Sequence, residues 1–218
     1  MMFRTKSFNI HRPVETVPLT RAKSAPNIAL AVANARVSMT VREIDAKEAC
    51  SATNRMMNNT MDSGWKYENP SHFLDDKQQK WNSRYDEALS VFDLVSWNAQ
   101  RELSESKKKL FFFAAYYQGV PVGILQLTTE NGFAEVDYLA THCGIRNCGV
   151  LLIEQAVNKS QQLGMQGKIK LRPLQDAIPA YIKMGFIKVP PYLELDPAQT
   201  EDKWHYDKVS NRYKYQSC

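Results

Sequence analysis

The sequence predicts an α/β protein built on one mixed β-sheet with helices on both faces. Three observations predict it. Three strand-like runs, "KKLFFFAAYY", "VGILQLTT" and "AEVDYLATH", follow one another with only "QGVP" and "ENG" between them. Short turn-forming separators of that kind make an antiparallel meander. A helix-like run over 149–163 then leads into "KIKLRP", which makes the strands before and after it parallel neighbours through a right-handed crossover. The chain has 218 residues, 44% of them hydrophobic, which is enough for a full-sized domain with its own core. Helices covering such a sheet from both sides are its natural closure.

Each element follows in chain order. The first 34 residues carry Arg4, Lys6, Arg12, Arg21 and Lys23 against the single acid Glu15, with three prolines and no hydrophobic period. They read as a disordered leader separate from the domain over 35–218, either a plain tail or an address resembling an organelle transit peptide or the leader of a secreted bacterial effector. Within it, "RAKSAP" resembles the phosphoserine motif read by 14-3-3 proteins, with Ser24 as the modified residue. "ARVSMTVREI" alternates as a half-buried strand would, and "DAKEACSATNRMMNN" follows as a helix with Asp45 as its N-cap. "TMDSGWKYENPSHFLDD" is rich in turn formers and reads as a long loop. In "QKWNSRYDEALSVFDLVSW", Trp81, Tyr85, Ala88, Leu89, Phe92 and Val95 recur at spacings of three and four, so this segment is an amphipathic helix. The meander comes next, then the helix over 149–163, strand "KIKLRP", a short helix "DAIPAYIKM", strand "FIKV", and one more strand near "KWHYDKV".

Composition bounds the function. The net charge of +5 suits anionic small ligands, but no long basic stripe points to nucleic acid. No apolar run approaches the roughly 20 residues that span a bilayer. Four cysteines in a chain of this length do not form a disulfide framework, which points to a reducing, intracellular setting.

"CGIRNCGVLL" stands at the strand-to-helix junction after "VDYLA". The first amides of a helix lack internal partners and carry partial positive charge. No acidic residue occurs from Asn147 to Ile153, Arg146 adds a cation, and Gly149 lets the backbone approach a ligand closely. That is the chemistry of a pyrophosphate cradle. His142, Cys143 and Cys148 could supply three metal ligands, but structural zinc takes four, and a redox pair would want CxxC. Both cysteines read as small buried fillers, and no metal is expected.

With these residues in place, the chain resembles the Gcn5-related N-acetyltransferases (GNAT). Their cofactor motif is Gln/Arg-x-x-Gly-x-Gly/Ala; Arg146 and Gly149 match it, and Leu151 departs from its last position. "AIPAYIKMGF" resembles the family's A-x-x-x-Y-x-x-x-G-F through Ala177, Tyr181, Gly185 and Phe186, although Leu174-Gln175-Asp176 stand where an Asn is frequent. The resemblance implies a GNAT-like fold with a splayed parallel strand pair and acetyl-CoA as co-substrate. The backbone of Leu139, Ala140 and Thr141 would hold the pantetheine arm. The amides of Asn147, Cys148, Gly149, Val150, Leu151 and Leu152 would take the pyrophosphate.

The implied reaction is direct attack of an amine, from a protein or a small molecule, on the thioester. Tyr181 stands where the family places the acid for the leaving thiolate, and a packing role is its alternative. Glu135 and Asp137, two apart and so on one side of a strand, are candidate bases, as is His142 at the strand end. Each could equally be a carboxylate or histidine without a catalytic role. Trp65 and Tyr67, with His72 and Phe73, are candidates for acceptor recognition or for a satellite hydrophobic cluster. A degenerate domain that binds acyl-CoA or a partner protein without turnover is the competing reading, and Leu151 speaks for it.

Overall fold

The computed structural model describes residues 36–67, 74–105, 110–130 and 132–216. The leader, Ser24 in its phosphoserine-like motif, and His72 and Phe73 lie outside the described residues.

A seven-stranded mixed sheet runs in the order β1-β2-β3-β4-β5-β7-β6. Its strands are β1 (Met39–Ile44), β2 (Leu110–Tyr117), β3 (Val120–Glu130), β4 (Phe133–Thr141), β5 (Ile169–Leu171), β6 (Ile187–Val189) and β7 (Tyr192–Leu195). The expected meander β2-β3-β4 is antiparallel throughout, and β4 pairs β5 in parallel. At the β2–β3 turn, Gln118 and Gly119 both take positive φ, 50° and 79°. That conformation matches the right-handed strand twist in two-residue hairpins.

Helix α1 (Ala46–Arg55) starts where the sequence placed it: the Asp45 carboxylate accepts from the Glu48 amide at 2.7 Å. It continues into a π-helical turn, Met56–Thr60. The amphipathic helix α2 (Asp76–Glu105) extends further in both directions than its apolar period suggested. Helix α3 (Cys148–Gln162) is the crossover between β4 and β5, and the short α4 (Ile178–Lys183) precedes β6.

Two cores lie on opposite faces of the sheet. Alternate residues of β2 separate them: Phe113 and Ala115 join α3, whereas Phe112 and Ala114 join α1 and α2. The first strand is shorter than the alternation implied, because residues 36–38 form a helical turn and β1 begins at Met39. Two elements were not foreseen. β7 turns back from β6 and inserts between it and β5. The expected tail strand β8 (Trp204–Asp207) pairs with β9 (Arg212–Tyr215) in a separate two-stranded sheet. No helix among the described residues is long and apolar enough to cross a membrane.

Candidate acyl-carrier cleft and acceptor groove

The parallel pair holds together over very little length. Only Glu135↔Lys170 and Val136↔Leu171 are in register, and β4 then runs on to Thr141 without a partner on that side. The edge of β4 that includes Leu139, Ala140 and Thr141 therefore borders a gap, while its other edge stays paired with β3. Directly beyond the gap, α3 begins at Cys148 with no side-chain cap and no acid in its first turn; Asn147, at φ 63°, turns the chain into it. These are the conditions under which helix amides remain available to an anion. Arg146 is exposed beside them.

Two glycines account for the local geometry. A Cβ on Gly123 of β3 would meet Cys148 Sγ at 3.0 Å and Leu152 Cδ1 at 3.2 Å, so this glycine lets the start of α3 sit against the sheet. A Cβ on Gly149 would make only an ordinary contact, 3.7 Å from Leu139 Cδ2. The protein's own packing thus does not require glycine at 149, and the open space there suits an approaching ligand. Leu151, the departure from the motif, is buried with Val150 among Met39, Val41, Met184 and Tyr215. Its bulk is absorbed by that cluster. Cys143 and Cys148 are buried, and burial pushes the Cys148 thiol up to about 12, consistent with an inert filler.

On the face of the sheet carrying α1 and α2, a groove of about 700 Å³ opens across β4 and β5. Glu135 and Asp137 both line it, as their spacing predicted. Here the ladder slips: Val136 pairs with Leu127 and Tyr138 with Gln126, which leaves Asp137 without a cross-strand partner. The bulge puts Asp137 and Tyr138 side by side in the groove, whereas Val136 and Leu139 belong to the core under α3. The Asp137 carboxylate accepts from Gln126 Nε2 at 3.0 Å and from Thr128 Oγ1. Glu135 pairs with Lys170 Nζ at 3.3 Å.

Sequence reasoning missed the cationic side of this groove. Lys170 faces it from β5, Arg172 from the residue just past that strand, and Arg101 from the end of α2. Only parallel pairing between β4 and β5 brings residues so distant in sequence to the carboxylates, and no local pattern announces it.

Two other expectations are placed differently. His142 is buried, with Nδ1 accepting from the Gly144 amide at 3.0 Å and Nε2 2.9 Å from the Thr60 carbonyl. In the neutral tautomer that donates to Thr60, both nitrogens are occupied, and burial holds the ring's pKa below the usual histidine value. This ring is built to hold a loop, and as a base it has no nitrogen to offer. Trp65 stacks edge-on against His142 at 4.3 Å and lies parallel to Trp81 at 6.3 Å, whose indole donates to the Trp65 carbonyl at 2.6 Å. Tyr67 sits edge-on to Trp81, and its backbone is clasped by Asn82. Both aromatics form a cluster at the Thr141 end of β4 and do not line the groove.

Tyr181 lies on α4, half-buried and edge-on to Phe186 at 5.4 Å. Burial pushes its phenol up to about 12. Its hydroxyl makes no hydrogen bond with the described residues, yet no polar side-chain atom among them is both buried and unpartnered, so Oη is not completely sealed from solvent.

The sequence matches the model of the acetyltransferase (GNAT) family over residues 68–186, more than half of the chain. The chain belongs to the GNAT acetyltransferases. A GNAT-family protein from Desulfovibrio desulfuricans shares the fold at a TM-score of 0.50 and 10% identity, over 72% of this chain and 98% of that one. The PaiA N-acetyltransferase of Thermoplasma acidophilum, solved with coenzyme A, aligns at a TM-score of 0.44 and 16% identity, over 72% of this chain and 96% of that one. A GNAT acetyltransferase from Brucella melitensis, solved with acetyl-CoA, gives 0.42 and 13%, over 72% and 87%. No curated protein matches the sequence.

Proposed function

We propose that this GNAT protein is an acetyl-CoA-dependent N-acetyltransferase. The observation that carries the reading is the unpartnered edge of β4 past Val136, running directly into the uncapped, acid-free start of α3. The backbone of Leu139, Ala140 and Thr141 would hold the pantetheine arm. The amides of Asn147 to Leu152, with Arg146, would hold the pyrophosphate. Bound there, acetyl-CoA supplies an acyl group activated as a thioester.

The chain's own residues supply the proton handling. Asp137 stands at the bulge, the first residue past the last paired rung, and its carboxylate takes the proton that an ammonium must lose before nitrogen can attack. Glu135, one rung back and paired with Lys170, serves the electrostatics of the groove. As the carbon–nitrogen bond forms and the carbon–sulfur bond breaks, the departing electron pair needs a proton. Tyr181 Oη holds one, and its raised pKa keeps it protonated throughout the neutral and mildly alkaline range.

The test is calorimetric titration of acetyl-CoA into the wild type and Gly149→Glu. A carboxylate in the cradle repels the pyrophosphate, and a Cβ at this position meets only Leu139, at an ordinary contact distance. Binding to the wild type with at least a 100-fold loss in the variant, at unchanged melting temperature, is the expected outcome. Equal affinities would sink the assignment.

A further inference from the structure

The groove's charges are sorted by strand. Glu130, Glu135 and Asp137 come from β3 and β4, Lys170 from β5 and Arg172 from the residue just past it, while Arg101 and Glu102 reach the groove from α2. Lys170 and Glu135 face each other at 3.3 Å and largely cancel, and the Lys170 ammonium is further held over the rings of Tyr192 at 4.5 Å and Phe133 at 5.1 Å. One rung beyond this pair, pairing stops. The next residues along the two segments are Asp137, still in β4, and Arg172, just past the end of β5, and both line the groove.

Arg172 is a prepared anion receptor. Its guanidinium lies over the Tyr192 ring at 4.7 Å and donates one hydrogen bond, to Tyr192 Oη at 2.6 Å. It makes no ion pair among the described residues, the nearby Glu135 carboxylate acting on it only through space, and it is exposed. Stacking on an aromatic face fixes the plane of an arginine and leaves its remaining N–H donors directed outward, the geometry that recognises carboxylate or phosphate through two parallel bonds. An unpaired arginine beside the carboxylate that receives the acceptor's proton is a dipolar site. It complements a ligand that carries one charge of each sign.

We propose, on the acetyltransferase reading above, that the acceptor is a small zwitterionic amine: its nitrogen lies at Asp137 and its anionic group, carboxylate or phosphate, on Arg172. The separation of the two sites is set by neighbouring strands, about 5 Å apart where paired and wider where they part. Amine and anion in the acceptor are therefore a few bonds apart. Polyamines are disfavoured because a second cation would meet Arg172. Acceptors with a neutral amide in place of the acid would leave the guanidinium unanswered.

The experiment measures kcat and KM for a panel of ω-amino acids with two to five carbons, the corresponding aminoalkyl phosphates, the amides of the same amino acids, diamines, and a lysine-containing peptide. Each is tested with the wild type and with Arg172→Gln. The zwitterions should exceed their amides in kcat/KM by tenfold or more, and the amino acid and phosphate arms decide which anion is read. Arg172→Gln should raise KM for zwitterions at least tenfold, leave KM for the amides within twofold, and change kcat little. Preference for diamines, amides or the peptide, insensitivity to Arg172→Gln, or no turnover of any compound by a protein that binds acetyl-CoA would each overturn the proposal. Acetyl-CoA titration of the same preparations separates the failures. Absence of binding in the wild type removes the acetyltransferase reading itself, and intact binding with the wrong acceptor preference removes only this one.

Discussion

Tyr181 shows how much a single side chain can be asked to do. A phenol buried enough to sit near 12 remains a proton donor at every ordinary pH. Tyr181→Phe keeps the ring against Phe186 and deletes only that proton. If Oη protonates the leaving sulfur, turnover should fall by roughly 100-fold or more, the usual contribution of a general acid. Acetyl-CoA affinity should hardly move, since the interaction belongs to the transition state. The pH profile gives a second reading. Because the pKa is raised, wild-type kcat should not decline through pH 10, where an ordinary tyrosine ionises. Full activity in Tyr181→Phe would assign the residue to packing. Tyr181 and Gly149 were singled out in the sequence because each sits in a motif fixed by local spacing. Arg172 was not, since its significance depends on Asp137 standing one strand away, and a single chain carries no signal for that pairing.

At the scale of elements, the segment that joins β4 to α3 is held by an inward-facing histidine. His142 bridges the Gly144 amide and the Thr60 carbonyl at the end of the π-helical turn, with Trp65 edge-on to its ring. Burial lowers its pKa, so the folded state binds this proton less readily than the unfolded chain. The contribution is present above the unfolded value of about 6.5 and is lost as pH falls below it. Protonating Nδ1 also sets N–H against the Gly144 N–H. His142→Asn can keep an acceptor for that amide but has no group that titrates. Urea denaturation at pH 7.5 and pH 5 should show the wild type losing more stability across this interval than the variant, even if the variant is weaker at the higher pH. Equal losses would place the acid sensitivity elsewhere. The elements themselves were easier to foresee than their ends. Asp45 caps α1 as a helix-starting residue should, and the meander followed from its turns. The β4 bulge, the π turn and the insertion of β7 beside β5 arise from tertiary pairing, for which period and propensity carry little information.

The whole molecule is closed by a part that lies outside the family match, which ends at residue 186. The β8–β9 hairpin packs on α3, where Asn158 Nδ2 donates to the Tyr213 carbonyl and its Oδ1 accepts from the Tyr213 amide, and the Glu154 carboxylate joins the Tyr215 amide to Arg36. These contacts tie the two ends of the described chain to the helix whose first turn is the proposed cradle. The hairpin also holds α4: Trp204 Nε1 donates to the Met184 carbonyl at 2.7 Å and Tyr215 Oη to the Lys183 carbonyl at 3.2 Å, so two carbonyls at the end of that helix are satisfied from outside it. Trp204 is 1% exposed and is the largest fully buried side chain among the described residues. Trp204→Ala removes its packing and its bond together, at a cost of about 3–5 kcal/mol. At roughly 2–4 °C per kcal/mol for a domain of this size, the melting temperature should drop by about 10 °C. Trp204→Phe restores most of the volume and leaves the Met184 carbonyl unpaired, so it should recover most of that loss while α4 loosens. Amide exchange at Met184 and Gly185 should then rise above wild type, with turnover reduced through a less fixed Tyr181. A Trp204→Ala protein that melts like the wild type would show the hairpin to be an ornament on the fold.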